Sequence, residues 1–198
     1  MANNRLTLRI VNSPWNIPVP DFTKGSVLTH VEYWVAGSTG TDSIKTINNT
    51  GDATGDNSLA EGQNTLASGN YSHAEGLNTI ASNNSTHAEG FETEASGVAS
   101  HAEGYETTAS GQGSHAEGTD TIASGDSSHA EGILTRAEGE ASHSEGTETT
   151  ASGYHSHAEG YQTTASGVAS HAEGLTTTAT NEASHSEGKL TSAQGEAS

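Results

Sequence analysis

Two side chains able to move protons or hold a metal recur in this sequence at a fixed spacing: His115 and Glu117 flank Ala116, and the same His-x-Glu pair is written along most of the chain. An imidazole and a carboxylate so placed can serve as an acid/base pair, as part of a metal ligand set, or as a hydrogen-bonded pair with no chemistry. His73, His87, His101, His115, His129, His143, His157, His171 and His185 stand fourteen residues apart, followed at the second position by Glu75, Glu89, Glu103, Glu117, Glu131, Glu145, Glu159, Glu173 and Glu187. A catalyst needs one distinct pocket. Nothing singles out one copy, so no catalytic residue is assigned and the chain is read as not an enzyme. Imidazoles gathered on an axis would suit a transition metal or an anion; that alternative stays open beside a structural reading that needs no cofactor.

The elements that position these pairs follow from a second, stricter period of seven. From Ala60 to Ala193 every seventh residue is Ala except Ser144 and Ser186; two residues later stands Gly except at Asn83 and Asn181; two residues earlier, from Ser58 to Thr191, stands Ser or Thr. A heptad of this composition is not a coiled coil, which needs large apolar residues at its seam, and each Gly would cost a helix about 1 kcal/mol. In a strand, Ser/Thr and Ala share one face and their neighbours the other. Gly or Asn then supplies a backbone able to take positive φ at a corner. Strand, corner, strand, corner predicts an all-β parallel β-roll, or β-solenoid, with one coil per fourteen residues. Ser72, Ala74, Ser100, Ala102, Ser114 and Ala116 are expected inside it. Over residues 58–198 about ten coils would make a rod roughly 48 Å long at the strand spacing of sheets.

Composition agrees with a thin core, since 30% of residues are apolar, 5% are aromatic and Gly contributes 24. There is no Cys, which excludes disulfides, thiolate metal sites and thiol nucleophiles. The N-terminal residues lack an apolar run of signal-peptide length, and no segment approaches the ~18 apolar residues of a membrane helix, so the chain is expected to be made in the cytoplasm and to be soluble. Residues 1–45 carry four Lys/Arg and three Asp/Glu, whereas residues 46–198 carry two against 22. Such an acidic surface argues against nucleic acid and anionic lipid as partners.

The two strands of a coil differ in their outward residues. One presents Leu66, Ile80, Glu94, Thr108, Ile122, Arg136, Thr150, Thr164, Thr178 and Ser192, a mixture that fits solvent, while the other presents the His-x-Glu pairs with little variation, preceded by Leu59 and Glu61 in the first coil. Uniformity of that kind fits an interface repeated at every layer. "SHAEG" with the intervening "TASG" resembles the head repeat of trimeric autotransporter adhesins, the YadA-like left-handed parallel β-roll, whose typical unit is Ser-Val-Ala-Ile-Gly. The resemblance covers about residues 58–198. It implies a homotrimer in which Ser and Ala point into the roll while the Val and Ile positions, here His73 and Glu75 and their equivalents, face neighbouring subunits. The departure from Val and Ile makes the expected seam polar. A His of one subunit would then donate to a Glu of the next, and a Glu beside each His should raise the His pKa.

Ahead of the roll, residues 5–11 alternate as a strand. "LTHVEYWVAG" reads as a short helix with Thr29 as N-cap, Glu32 closing a capping box, Val27, Val31, Trp34 and Val35 on one face and Gly37 at its stop. Residues 46–57 read as a neck or linker. "FTKGSVLTHVEYWV" resembles the "KGS-x-LT-x-x-E" stretch near the start of many phage tail-fibre and virion-appendage proteins. Residues 1–45 are therefore expected to attach the chain to other virion proteins or to cap the trimer. By its period the sequence breaks off at Ser198 just before another His, which leaves open a longer product or a processed one.

These readings converge on a structural trimeric fibre, whisker or spike of a virus particle, located in the virion, that contacts a host-surface glycan or protein. The alternatives are the head of a bacterial trimeric adhesin at the cell surface and an ice-binding solenoid. The latter needs a flat Thr-x-Thr face, and outward pairs such as Glu92/Glu94 and Leu134/Arg136 interrupt it. Leu77, Phe91, Tyr105, Ile133, Tyr161 and Leu175 share one corner, where they either seal the coils or form a sugar-binding stripe.

Overall fold

The structure is a computed structural model and describes residues 34–194. The repeat folds as the spacing predicts. Five-residue strands, from Leu59–Gln63 and His73–Leu77 to His185–Lys189, alternate with two-residue strands such as Leu66–Ala67, Ile80–Ala81 and Ser192–Ala193. The long strands join Trp34–Ala36 and Ile44–Thr46 in a twelve-stranded sheet, and the short ones form an eleven-stranded sheet. Coil stacks on coil in parallel with like on like: His101 lies beside His115, Ala102 beside Ala116 and Glu103 beside Glu117. The roll is therefore two walls joined by corners. No helix occurs among the described residues.

The interior is as thin as the composition requires. Ala from both walls is fully buried, from Ala53 to Ala179, and the largest fully buried side chains are Thr. Ser72, Ala74, Ser100, Ala102, Ser114 and Ala116 all lie inside. With so little apolar area per coil, the backbone ladder carries much of the cohesion. Interior Ser also brace the corners: Ser72, Ser114 and Ser156 donate from Oγ to the carbonyls of Gly69, Gly111 and Gly153 at 2.6, 2.8 and 2.7 Å.

The corners differ from the expectation that the repeat Gly supplies them with positive φ. The residue in the left-handed region at each corner is the one just before the interior Ser or Thr, and it is rarely Gly: Tyr71, Ser85, Ala99, Leu134 and His155 have φ of 58, 57, 57, 58 and 55°. Such a residue costs about 1–2 kcal/mol. The conformation aims its N–H at the preceding coil, as in Tyr71 to Asp56 O at 2.8 Å and Ala99 to Asn84 O at 2.9 Å. Of the repeat glycines, Gly118 on the long wall does take positive φ, at +115°, whereas no left-handed φ occurs at Gly125 after the short strand. Both are required for space: a Cβ there would lie 2.1 Å from Gly132 O and 2.0 Å from Gly139 O.

Two readings of the N-terminal third are corrected. Trp34 and Val35 are not helical; Trp34–Ala36 is a strand that pairs antiparallel with Ile44–Thr46. Strand pairing there satisfies backbone groups that a free sheet edge would leave open. The rest of that helix, and the strand read over residues 5–11, lie outside the described residues. The neck is also not a linker, because Ile44–Thr46 stacks in parallel on Leu59–Gln63 and Asp52–Ala53 on Leu66–Ala67. The roll thus begins a coil before residue 58. Its first coil is a polar lid: Lys45 takes the register of interior Ala60 and its Nζ reaches Gly51 O at 2.9 Å and Asp52 at 3.5 Å. Asn49, which is buried, donates from Nδ2 to Thr65 Oγ1 at 2.6 Å and accepts from Thr65 N–H at 3.0 Å.

Candidate functional site

Ala116 points into the roll, so His115 and Glu117, on either side of it in the strand His115–Thr119, must point out. The same holds for each pair from His73 and Glu75 to His185 and Glu187, and the in-register stacking aligns them in two straight columns on the outer face of the long-strand wall. The imidazoles stack face to face, with centroids 4.7–4.9 Å apart and planes within 18° from His73 to His185. Alongside runs a column of carboxylates beginning at Glu61.

Each His meets the Glu of its own strand. Nε2 to Oε2 is 3.5 Å for His73 and Glu75, 3.4 Å for His101 and Glu103, and 3.6 Å for His115 and Glu117, and no pair exceeds 3.7 Å. These separations are longer than the ~2.7–2.9 Å of a charge-assisted hydrogen bond. The Nε2 atoms of His73, His87, His101, His115, His129, His143, His157 and His171 are occluded and have no hydrogen-bond partner within the chain. The pairing was expected between subunits; inside one chain each His also lies beside a carboxylate, in a geometry that leaves its Nε2 without a hydrogen bond.

The expectation of raised His pKa values is not met at four positions of the column. His73, His101, His143 and His171 are pushed below the ordinary imidazole value, first by burial and then by the neighbouring imidazoles, and the adjacent carboxylates only partly oppose this. The spacing that puts Glu two residues away also puts another ring directly above and below. Sequence reasoning saw the Glu and missed the ring column, although the fourteen-residue recurrence of His is the signal that would have shown it.

The other wall varies in its outward residues. Ile80, Glu94 and Arg136 are exposed there, Leu66, Thr108, Ile122, Thr150, Thr164 and Thr178 are half-buried, and no one residue type runs through the column. At the corner, Tyr105, Ile133, Tyr161 and Leu175 are exposed while Leu77 and Phe91 are half-buried, and Phe91 stacks on Tyr105 at 4.9 Å. Gln63, Thr119, Thr147 and Lys189 share that column, so it is not a continuous aromatic strip.

With this geometry in view, comparison with protein families gives a match to the YadA head domain repeat, over residues 60–82, 102–128, 116–133, 144–170 and 158–180. The roll is YadA-like. The matched stretches hold the buried Ser, Thr and Ala of the coils and their repeat Gly, with His and Glu at the outward positions of the long strand. None of the curated proteins compared with the chain matches it significantly. YadA-like head repeats point to an adhesin or fibre of the trimeric-autotransporter kind, exposed at a surface.

Proposed function

We propose that the chain is the rod of a homotrimeric fibre, with the His/Glu wall of each YadA-like roll turned towards the other two chains. One observation carries this reading: the outer face of the long-strand wall is uniform over nine successive coils, while the outer face of the short-strand wall varies freely. A solvated face has no reason to repeat a half-buried ring and a carboxylate at every layer. A surface that meets a copy of itself does. The role is mechanical, and the repeated pairs set register between chains rather than perform catalysis.

Within that reading we place the fibre on a virus particle, as a whisker, tail fibre or spike, attached through residues 1–45 and reaching towards a host-surface glycan or protein. Support comes from the "KGS-x-LT-x-x-E" resemblance in "FTKGSVLTHVEYWV" ahead of the roll. The YadA head repeat itself favours the second reading, the head of a bacterial surface adhesin. Native mass spectrometry of the full chain tests the assembly; three chains are expected, and a monomer at all concentrations would refute it. Immunogold labelling of residues 1–45 on purified particles tests the location, and label on the bacterial surface alone would replace the first reading by the second.

A further inference from the structure

Within one chain the polar wall carries two features that its own side chains leave uncompensated. Eight occluded imidazole nitrogens have no partner, and a buried polar atom left unpaired in this way calls for an absent water or ion. The carboxylates also stack in register from Glu61 to Glu187, like charge on like charge. Directly opposed like charges destabilise a sheet. The basic side chains among the described residues are Lys45, Arg136 and Lys189, and none belongs to the His or Glu column. Both defects would be removed by one kind of ligand, a cation that accepts nitrogen and oxygen donors together.

The geometry points to zinc or a similar late first-row divalent ion, and we propose that the His-x-Glu column is a repeating binding array for it. Tetrahedral coordination with bonds near 2.0–2.1 Å puts neighbouring donors about 3.3–3.4 Å apart. The Nε2 to Oε2 separations of 3.4–3.7 Å lie close to that edge length. A third donor comes from the next coil: His87, Glu89 and His101, or His115, Glu117 and His129, bring their ligand atoms within 4.8 Å of one another, and the two stacked rings would tilt towards each other to close on one ion. The remaining position is left for water or a facing chain. Mixed imidazole and carboxylate donors favour Zn2+, Co2+, Ni2+ or Cu2+ over Mg2+ and Ca2+, which take oxygen shells.

The array deepens the proposed seam but stands on the geometry of one chain, so the two ideas can fail separately. The full chain, stripped with chelator, is titrated with Zn2+, Co2+ and Mg2+ while binding is followed by calorimetry and its mass by native spectrometry. Several Zn2+ per chain are expected, at least about tenfold tighter than Mg2+, together with the intense visible bands of tetrahedral Co2+. Replacing four layers at once, Glu103→Gln, Glu117→Gln, Glu131→Gln and Glu145→Gln, keeps the side-chain size and should remove the ions of those layers. Zn2+ uptake unchanged in that variant, or Mg2+ bound as tightly as Zn2+, would overturn the array in favour of diffuse attraction to an acidic surface. Should the variant fail to fold, the parent's Co2+ spectrum decides alone: weak octahedral bands, or none, sink the proposal. A metal-free trimer that takes up no Zn2+ leaves the seam standing without the array, and a monomer that binds Zn2+ does the reverse.

Discussion

The two walls of the roll are built from the same heptad, yet one is uniform and the other is not. Inside they are alike, with Ala116 and Ala123 fully buried and Ser114 and Thr121 beside them. Outside, His115 and Glu117 are repeated in coil after coil, whereas Ile122 is replaced by Glu94, Thr108 or Arg136 in neighbouring coils. The inner similarity is a packing constraint and the outer difference is not. Substitutions that probe the interior should therefore act on both walls, while those that probe the outer faces should act on one.

The largest expected effect tests the shared interior. Gly118 and Gly125 belong to opposite walls, and each lies where a Cβ would be about 2 Å from the carbonyl oxygen of the next coil. Backbone cannot yield as a side-chain end can, so Gly118→Ala and Gly125→Ala should each cost about 2–4 kcal/mol in chemical denaturation. Gly113 is the control, since it occupies the left-handed corner position and the nearest atom to its Cβ is Ser127 Oγ at 4.0 Å. Ala is already found at the equivalent corners Ala99 and Ala141, so Gly113→Ala should cost only the left-handed backbone penalty of about 1–2 kcal/mol. Equal losses at all three would mean that space is not what separates them.

A charge reversal then separates the outer faces. Glu103→Lys with Glu117→Lys and Glu131→Lys on the long wall should reduce the native mass from three chains to one. Thr108→Lys with Ile122→Lys and Thr150→Lys on the short wall should leave it unchanged. If both sets act alike, the uniform wall is not the seam.

Much of this was legible in the sequence because it depends on period. A repeat of seven with small residues at alternate positions specifies which side chains go in, which go out, and how many residues make a coil. What escaped depends on layers that are distant in sequence. The left-handed corner carries Tyr71, Ser85, Ala99, Leu134 and His155 with no common residue type, because a hydrogen bond to the previous coil, not the side chain, holds it. Lys45 entered the interior register because the first coil is one residue longer than the rest, pairing Ile44 with Leu59, and a strict seven-residue count stops short of it.

The sign of the pH dependence follows from the burial of the imidazoles and then from their stacking on one another. His73, His101, His143 and His171 have pKa values below the ordinary 6.5 in the folded chain, chiefly through burial. A depressed histidine pKa means that the unfolded chain takes up protons first as pH falls. The contribution is therefore fully present above about pH 6.5 and is lost as pH falls through that value towards the depressed one. Thermal melts should drop across that window. A variant with His101→Val, His115→Val, His129→Val and His143→Val should lose part of the drop, while Thr108→Val, on the other wall, should keep all of it. A melting temperature that instead rises as pH falls through the window would show that the carboxylates outweigh the rings.

The smallest effect lies inside, at the two places where the repeat puts Ser for Ala. The hydroxyls of Thr79, Thr93, Thr107, Thr121, Thr135, Thr163 and Thr177 are buried without a partner. Thr149 escapes this because Ser144 Oγ lies 2.7 Å from its Oγ1; Thr191 Oγ1 lies 2.9 Å from Ser186 Oγ and also donates to Glu187 O at 2.9 Å. Each Ser stands on the long wall and its Thr on the short one, so the pair is a hydrogen bond between the walls. Ser144→Ala should strand the Thr149 hydroxyl at a cost of about 1 kcal/mol, and Ser144→Ala with Thr149→Val should recover most of it, because an unpaired hydroxyl in an apolar space is worse than a methyl group. The converse change, Ala130→Ser, offers Thr135 the partner it lacks and should be neutral or slightly stabilising. If Ala130→Ser costs as much as Ser144→Ala, the interior has no room for a second oxygen, and steric fit, not hydrogen bonding, decides which residue stands there.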